Sequence, residues 1–420
     1  MENDIKKIYL ADLHLGNGGD TDYFHFDDEF ETLIDEAIED NVKEIIIVGD
    51  LLELMMNDKI DEVTFSLNFS ESCKNIDLGI IDSIEKTHPK VFDSFKKFSK
   101  KGKIKYLIGN HDVHLIYNEK LMLRSAEALS DTEENIEILP YYIDKDFKVF
   151  SIHGNQFDIA NKIVERKNGE DILPPFSDYM YSFMKRTFEK KLEKLNLPIS
   201  ILQNLHLISP ILDIFEYLQY LQRKHDINED LLKLWTDNFI RLLNSEYGNE
   251  WISVLWPKLK FLKKIFINEF GGMVLGQFLI SLVMNIRKFR KTDNLFRQAQ
   301  KLLGVYDSSK GFKEVIDTIS NYWKLKEKIP IFPTELKGVI MGHNHKHCVR
   351  IIPKPEEYLF YANTGAWTPV IEKIQSKGLN GFEKRIEMAY IKLIKNGKDI
   401  RIISNNLRKY GNNNVVELSY

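Results

Sequence analysis

The sequence predicts an α/β protein in which a mostly parallel β-sheet core is interrupted by a large helical insertion. Short apolar runs alternate with helical patterns from residue 5 to about residue 155, and strand patterns return at residue 338. Between these regions, long amphipathic patterns with few turn residues dominate. Alternating strands and helices are typical of parallel sheets covered by helices. We therefore divide the 420-residue chain into two parts of one core, 1–158 and 334–420, and an all-helical insertion at 159–333.

Local patterns predict each element of the core in turn. Apolar residues at helical spacing predict an amphipathic helix over 29–40. The predicted strands are short runs rich in β-branched and aromatic residues, at 8–10, 45–48, 105–108, 148–152 and 338–341. Asn396-Gly397 lies between two further apolar runs, 388–394 and 400–403, and this dipeptide predicts a β-hairpin. The polar, Asn-rich tail at 405–420 predicts an irregular or edge segment.

Composition excludes several classes of protein. Hydrophobic residues make up 43% and charged residues 29% of the chain, which is ordinary for a globular protein and excludes disordered and collagen-like chains. The two cysteines, Cys73 and Cys348, form no C-x-x-C pattern, so that a disulfide framework is excluded. The polar, acidic N-terminus fits no targeting segment. These observations predict a cytoplasmic location.

Five predicted strands are each followed by residues that can hold a metal ion, usually beside a small or turn residue. The blocks are Asp12-Leu13-His14, Gly49-Asp50, Gly109-Asn110-His111-Asp112, His153-Gly154-Asn155 and Gly342-His343-Asn344-His345. Functional groups collect at the carboxyl ends of strands in open α/β sheets. An i, i+2 pair can aim both side chains the same way from an extended backbone. Carboxylate, amide and imidazole groups together suit Mn, Fe or Zn, and the absence of thiolates argues against a structural zinc site.

Each block taken alone has a simpler interpretation. Asp12 is compatible with a helix cap, Asp50 with a strand-end turn and His153 with a core histidine. His343 and His345 are compatible with a pair of surface histidines. The occurrence of all five blocks in one chain favours a metal site built from two ions.

In order and spelling, the five blocks resemble the calcineurin-like metallophosphoesterases, whose pattern is D-x-H, G-D, G-N-H-D, H-G or G-H, and G-H-x-H. The resemblance implies a metallophosphoesterase β-sandwich core flanked by helices and two divalent metal ions, with Mn preferred to Fe or Zn. It implies that the first ion is held by Asp12, His14, Asp50 and His345, and the second by Asp50, Asn110, His153 and His343. It also implies that a shared hydroxide attacks phosphorus, that His111 contacts the phosphate or the leaving group, and that Asp112 orients His111. Asn155 departs from the family pattern, since many relatives have an acid there.

The predicted activity is hydrolysis of phosphoester or pyrophosphate bonds in a phosphorylated substrate of unidentified class. Two alternatives remain open. The spellings around His14 and Asp50 resemble the UDP-2,3-diacylglucosamine pyrophosphohydrolases, which cleave a lipid nucleotide at the membrane surface, although that group usually has arginine where this chain has His111. A nuclease is the other alternative, because 251–310 carries 11 Lys and Arg against 3 acidic residues in a chain of net charge −4. Nucleic-acid binding is not favoured, since this basic window also fits a solvated helix face.

The insertion contains a 17-residue apolar segment at 270–286 that includes Gln277, Ser281 and Asn285. This length and these polar residues favour a buried core helix over peripheral membrane contact, although basic residues flank the segment. The insertion begins shortly after His153 and ends shortly before His343. We therefore predict that it forms a lid over the metal site. The sequence does not specify an oligomeric state.

Overall fold

The computed structural model describes residues 4–19, 22–57, 60, 63, 66, 68–166, 171–195, 204–208, 213–255, 294–305, 336–355, 357–376, 379–397 and 399–409. The chain divides into two compact units. Unit 1 comprises Met1–Ile163, Asp293–Thr368 and Glu387–Arg408, and unit 2 comprises Val164–Thr292, Pro369–Ile386 and Lys409–Tyr420. The apolar segment 270–286, most of the basic window and the end of the tail lie outside the described residues.

The described strands form two large β-sheets and one two-stranded sheet. In chain order the strands are β1 (Ile5–Leu10), β2 (Glu44–Val48), β3 (Lys103–Leu107), β4 (Ile136–Leu139), β5 (Tyr142–Asp144), β6 (Val149–Ser151), β7 (Val164–Glu165), β8 (Ile172–Leu173), β9 (Gly338–Met341), β10 (Cys348–Lys354), β11 (Glu357–Asn363), β12 (Pro369–Ser376), β13 (Leu379–Asn396) and β14 (Asp399–Lys409). The larger sheet has the order β12-β13-β1-β2-β3-β4, with β14 also paired to β13, and the smaller has the order β10-β11-β9-β6-β5. All the predicted strands and the predicted β13–β14 hairpin are confirmed.

The described helices are α1 (Asp27–Glu39), α2 (Phe69–Cys73), α3 (Gly79–Thr87), α4 (Pro89–Ser99), α5 (Glu119–Leu129), α6 (Phe176–Met184), α7 (Lys190–Lys194), α8 (Ile214–Lys224), α9 (Leu231–Asn244), α10 (Glu246–Leu255) and α11 (Asn294–Leu302). The predicted helix at 29–40 is confirmed as α1. Acidic residues in its first turn stabilise the helix, because they interact favourably with the positive end of the helix dipole. Among the helices that the structure describes, none combines the length and the apolar character needed to cross a bilayer.

The two sheets pack face to face over a shared apolar core. This core includes Tyr9, Ile46 and Leu107 from the larger sheet and Val149 and Ile340 from the smaller one. Because side chains alternate along a strand, the neighbouring residues of β1 and β2 point to the opposite face. Helix α4 contacts both β3 and α1, which places these helices on that face. The α/β class is therefore confirmed.

The outer face of the smaller sheet is covered by α11. Leu295 and Ala299 of this helix share a buried cluster with Ile152, Met341 and Tyr361. Although α11 lies within the predicted insertion, it belongs to unit 1. A helix from the middle of the sequence therefore completes the core that carries the predicted ligands.

Unit 2 contains helices α6 to α10, β12 and the first part of β13. Aromatic rings stack in its core, with Phe176 and Trp251 at 4.2 Å and Tyr179 and Tyr247 at 4.1 Å between centroids. The insertion is not all-helical as predicted, because β7 and β8 form a two-stranded antiparallel sheet.

A buried lysine joins the two sheets of unit 1. The Nζ atom of Lys7 on β1 lies 3.0 Å from Asp144 on β5, 2.8 Å from Glu44 and 2.9 Å from Asp146. Burial alone would lower the pKa of Lys7, but the charge of Asp144 and hydrogen bonds to Asp146 and Glu44 raise it. Tyr9 donates a hydrogen bond to the same Asp144 carboxylate at 2.6 Å.

We expect Lys7→Met to destabilise the protein by about 3–5 kcal/mol, because it leaves the buried Asp144 carboxylate without its cation. Urea unfolding followed by circular dichroism measures this change. The matched control is Lys90→Met, which removes a half-exposed side chain in an ion pair with Asp28, and its unfolding midpoint should stay at the wild-type value. Equal midpoints for all three proteins would contradict the expectation.

Candidate metal centre

The predicted ligands follow the carboxyl ends of β1, β2, β3, β6 and β9. The loops after these strands are tied together by the main chain. The N–H of Asp12 donates to the carbonyl of Gly49 at 3.1 Å, and the N–H of Gly342 donates to the carbonyl of His153 at 3.0 Å. The Asp12 carboxylate also accepts the main-chain N–H of His343 at 2.9 Å. The larger and smaller sheets therefore meet at this edge.

Six of the seven predicted metal ligands come together in two groups. The first group is Asp12, His14 and His345, and the second is Asp50, His153 and His343, with the ligand atoms of each group within 4.8 Å of one another. In the first group, His345 Nε2 lies 3.3 Å from both Asp12 Oδ1 and His14 Nε2. In the second, His153 Nε2 lies 3.0 Å from Asp50 Oδ2. The groups are adjacent, since Asp12 Oδ1 is 4.0 Å from His153 Nε2.

Asn110 is the seventh predicted ligand. Its side chain is buried, and its Oδ1 atom has no hydrogen-bond partner. Asp50 lies in the second group and not in the first. The roles of Asn110 as a ligand and of Asp50 as the bridge between two ions therefore stay predictions.

Three buried ligand atoms lack a hydrogen-bond partner: Asp12 Oδ1, Asn110 Oδ1 and His153 Nε2. A buried polar atom without a partner costs about 1–3 kcal/mol. His153 Nδ1 lies 2.8 Å from the Val48 carbonyl, to which it donates, so in the neutral ring Nε2 carries a lone pair that faces the Asp50 carboxylate. Unpartnered oxygens and an imidazole nitrogen fit divalent cations, which bind carboxylate, amide and imidazole donors.

Carboxylates orient two of the ligand histidines. His14 Nδ1 lies 2.9 Å from Glu53 Oε2, and His343 Nε2 lies 3.1 Å from Asp158 Oδ2. A carboxylate fixes the ring by accepting one N–H, and the opposite nitrogen is then left for a metal ion. The opposite nitrogens are His14 Nε2 and His343 Nδ1.

Glu53 and Asp158 lie outside the five sequence blocks. The sequence signal for Glu53 is a single acid within the apolar run 51–56. The structure buries this run throughout, and a buried charge needs a partner. Asp158 follows His153 by five positions and offers no comparable signal, since acids are common in polar turns.

Opposite charges perturb the ionisation of this centre. Burial would raise the pKa of Asp12 and of Asp50, but the histidines around them hold both pKa values below the ordinary range. Burial would lower the pKa of His153, but Asp50 and Asp12 raise it to about 9. The two carboxylates therefore stay ionised and attract positive charge to this point.

The ligands occupy a strained backbone. The described residues include eight non-glycine residues with positive φ, and five of them are predicted ligands: Asp12, His14, Asp50, His343 and His345. Left-handed conformations of this kind cost about 1–3 kcal/mol each where the surrounding structure imposes them. The expectation that Asp12 and His14 converge from an extended backbone is wrong. Main-chain hydrogen bonds to Gly49 and Asp50 set their direction instead.

Two glycines of the blocks make room for the carboxylates. A Cβ atom at Gly109 would lie 2.1 Å from Asp50 Oδ1, and one at Gly342 would lie 2.6 Å from Asp12 Oδ2. Neither distance is compatible with a side chain at that position. Glycine therefore allows the main chain to approach the ligands closely.

His111 lies beside the first group, with its ring 4.3 Å from that of His14 in an edge-to-face arrangement. The prediction that Asp112 orients His111 is wrong, because Glu53 contacts His111 Nδ1 at 2.7 Å. Asp112 accepts three other hydrogen bonds, from the N–H groups of Leu51 and Gly109 and from the hydroxyl of Tyr106. Adjacent residues of a tight turn point in different directions. Asp112 therefore points away from His111 and links the loops that follow β2 and β3. Burial and the charge of Asp50 raise its pKa to about 7.

The segment 363–367, which follows the last histidine block, is hydrogen-bonded to two of the loops of the site. Asn363 Nδ2 donates to the carbonyl of Gly342 at 2.6 Å, and the N–H of Trp367 donates to the carbonyl of Asp12 at 3.0 Å.

No protein-family model and no curated protein matches the chain. The candidate site therefore depends on this geometry and on the motif order.

We expect Gly109→Ala to weaken Mn²⁺ binding, because the new methyl group displaces the Asp50 carboxylate. Ligand binding to the folded state stabilises it by about 2.7 kcal/mol at one hundred times Kd. The wild-type melting temperature should therefore rise with Mn²⁺, and that of Gly109→Ala should rise much less. Gly79→Ala is the control, since its Cβ would meet only the flexible Asp77 side chain, at 3.3 Å. An equal rise in all three proteins would reject this account of the site.

Proposed function

We propose that the protein is a metal-dependent hydrolase of phosphoester or pyrophosphate bonds. The convergence of two adjacent ligand groups, each with one carboxylate and two histidines, carries this proposal. The order of the motifs supports it, because it resembles that of the calcineurin-like metallophosphoesterases. Two packed sheets flanked by helices are compatible with the fold of that family. We propose two divalent cations, with Mn²⁺ preferred.

The division of labour follows from the donor set. When bound, a pair of divalent cations polarises the phosphoryl oxygens and lowers the pKa of a bound water. Asp12 and Asp50 provide the negative charge that retains cations in a buried site. His14, His153 and His343 present fixed nitrogens, since each ring is held by a hydrogen bond at its other nitrogen.

His111 is the residue that we assign to the substrate. About 15% of its side chain is exposed, whereas the His14 and His153 side chains are more deeply buried. Its Nδ1 is bonded to Glu53, so Nε2 is the nitrogen left for the substrate. We assign it a hydrogen bond to the phosphate and protonation of the leaving oxygen.

The substrate class within phosphoesters stays open. The basic window that motivates a nuclease lies mostly outside the described residues, and so does the apolar segment that motivates membrane contact. Neither alternative gains a specific observation from the described residues. The lid role of the insertion also stays a prediction.

The purified protein should hydrolyse p-nitrophenyl phosphate, bis-p-nitrophenyl phosphate or a nucleoside diphosphate with Mn²⁺, and EDTA should abolish the reaction. Asp50→Asn should abolish it too, because that substitution removes the charge of a ligand shared by the proposed ions. His111→Ala should lower kcat by about 10²–10⁴-fold, the usual contribution of a proton-transfer group. Release of p-nitrophenol or phosphate measures these rates.

The control for the histidine substitution is His225→Ala, since His225 is exposed at the end of α8. Its rate should equal that of the wild type. Full activity in both Asp50→Asn and His111→Ala would exclude this mechanism, and a metal-loaded wild type that cleaves none of the three substrate types would exclude the proposed function.

A further inference from the structure

One carboxylate joins the proposed metal ligand His14 to the proposed substrate residue His111. Glu53 is 2% exposed. Its Oε2 atom lies 2.9 Å from His14 Nδ1 and 2.7 Å from His111 Nδ1. Its Oε1 atom lies 2.8 Å from His111 Nδ1 and accepts the main-chain N–H of Met56 at 3.0 Å. Glu53 therefore has no spare oxygen within this cluster.

We propose that Glu53 is a positioning residue that fixes the rings of His14 and His111 together, so that cation binding and leaving-group chemistry depend on the same side chain. This inference rests on the proposed function of the site. It extends that function because cation binding and proton donation to the leaving group are different steps. None of the five sequence blocks includes Glu53.

The main chain around Glu53 fits this role. The N–H of Glu53 donates to the carbonyl of Leu15 at 2.9 Å, beside His14, and the N–H of Met55 donates to the carbonyl of His111 at 3.1 Å. The turn that carries the carboxylate is thus bonded to both loops whose histidines it holds. A movement of either loop would therefore change the hydrogen bonds of the Glu53 carboxylate to His14 and to His111.

The chemistry of a carboxylate is needed at this position. An ionised carboxylate only accepts hydrogen bonds, so each ring keeps a proton on the Nδ1 that faces Glu53. The Nε2 atom of neutral His14 is then left for a cation, and the Nε2 atom of His111 in its doubly protonated form carries the proton that goes to the leaving oxygen. Glutamine has the same shape but only one oxygen, and its NH₂ group would face an N–H group. In either orientation that NH₂ group faces an N–H group, of Met56 and His111 or of both histidines, and the negative charge is lost. Glu53→Gln therefore holds the two rings more weakly than Glu53 does.

Glu53 could instead ligate a third cation with His14 and His111, since these residues also form a compact group. The geometry favours positioning. Among the described residues, no buried side-chain atom of His14, Glu53 or His111 lacks a hydrogen-bond partner. Asp12 Oδ1, Asn110 Oδ1 and His153 Nε2, by contrast, are buried and lack one. The number of Mn²⁺ ions bound per chain separates the two roles.

The experiment compares Glu53→Gln, Glu53→Asp, His111→Ala and the exposed control Glu71→Gln, whose partner is Lys74. Calorimetric titration measures the Kd for Mn²⁺, which depends on the orientation of the His14 ring. Rates with a series of aryl and alkyl phosphates report the hold on His111, because proton donation matters most for poor leaving groups. Near-UV circular dichroism verifies that each variant is folded.

Glu53→Gln should bind Mn²⁺ about 10–100-fold more weakly, as is usual when the partner of a metal-ligating histidine is removed, and should lose most rate with poor leaving groups. His111→Ala should show only the second effect, and Glu71→Gln neither. Glu53→Asp keeps the charge and should recover part of both losses, and it replaces Glu53→Gln if that variant does not fold.

Wild-type Mn²⁺ affinity and leaving-group dependence in Glu53→Gln would overturn the inference while leaving the proposed function intact. Three ions in the wild type and two in Glu53→Gln would overturn it in favour of a ligand role. If the wild type hydrolyses no phosphate ester, the proposed function fails, and the calorimetric affinities alone then decide whether Glu53 positions His14.

Discussion

Two buried carboxylates, Asp12 and Asp50, set the constraint on which the rest of unit 1 depends. Both are almost fully buried, and an ion taken out of water costs several kcal/mol unless opposite charge compensates it. The compensation comes from His14 on the loop that carries Asp12 and from His111, His153 and His345 on three other loops. Their hydrogen bonds leave several ligand atoms unpartnered at one place, and this distribution of satisfied and unsatisfied atoms marks where positive charge belongs.

The backbone adapts to that constraint. Five predicted ligands adopt the left-handed region, and glycines occupy positions where a Cβ atom would lie too close to a carboxylate. Such strain persists only where the surroundings over-determine the conformation. Here the surroundings are the apolar core between the two sheets and the main-chain hydrogen bonds across their edges, so that packing far from the ligands holds the ligand geometry.

A further set of contacts fixes the histidines. Glu53, Asp158 and the carbonyl of Val48 each occupy one ring nitrogen of a ligand, and Glu53 also holds His111. Metal sites commonly depend on such supporting partners for ligand orientation. The supporting residues connect the predicted ligands to buried turns.

The sequence by itself determined strands β1, β2, β3, β6 and β9, helix α1, the β13–β14 hairpin and, through the motif order, the seven candidate ligands, because hydrophobic periodicity and strand-end residues are local properties. Only the tertiary structure decided how those ligands divide into two groups and that Glu53, rather than Asp112, holds His111. It also decided that α11 completes the core of unit 1 and that β7 pairs with β8. Each of these outcomes depends on contacts between residues distant in sequence or on the direction of a strained turn, and local patterns contain neither kind of information.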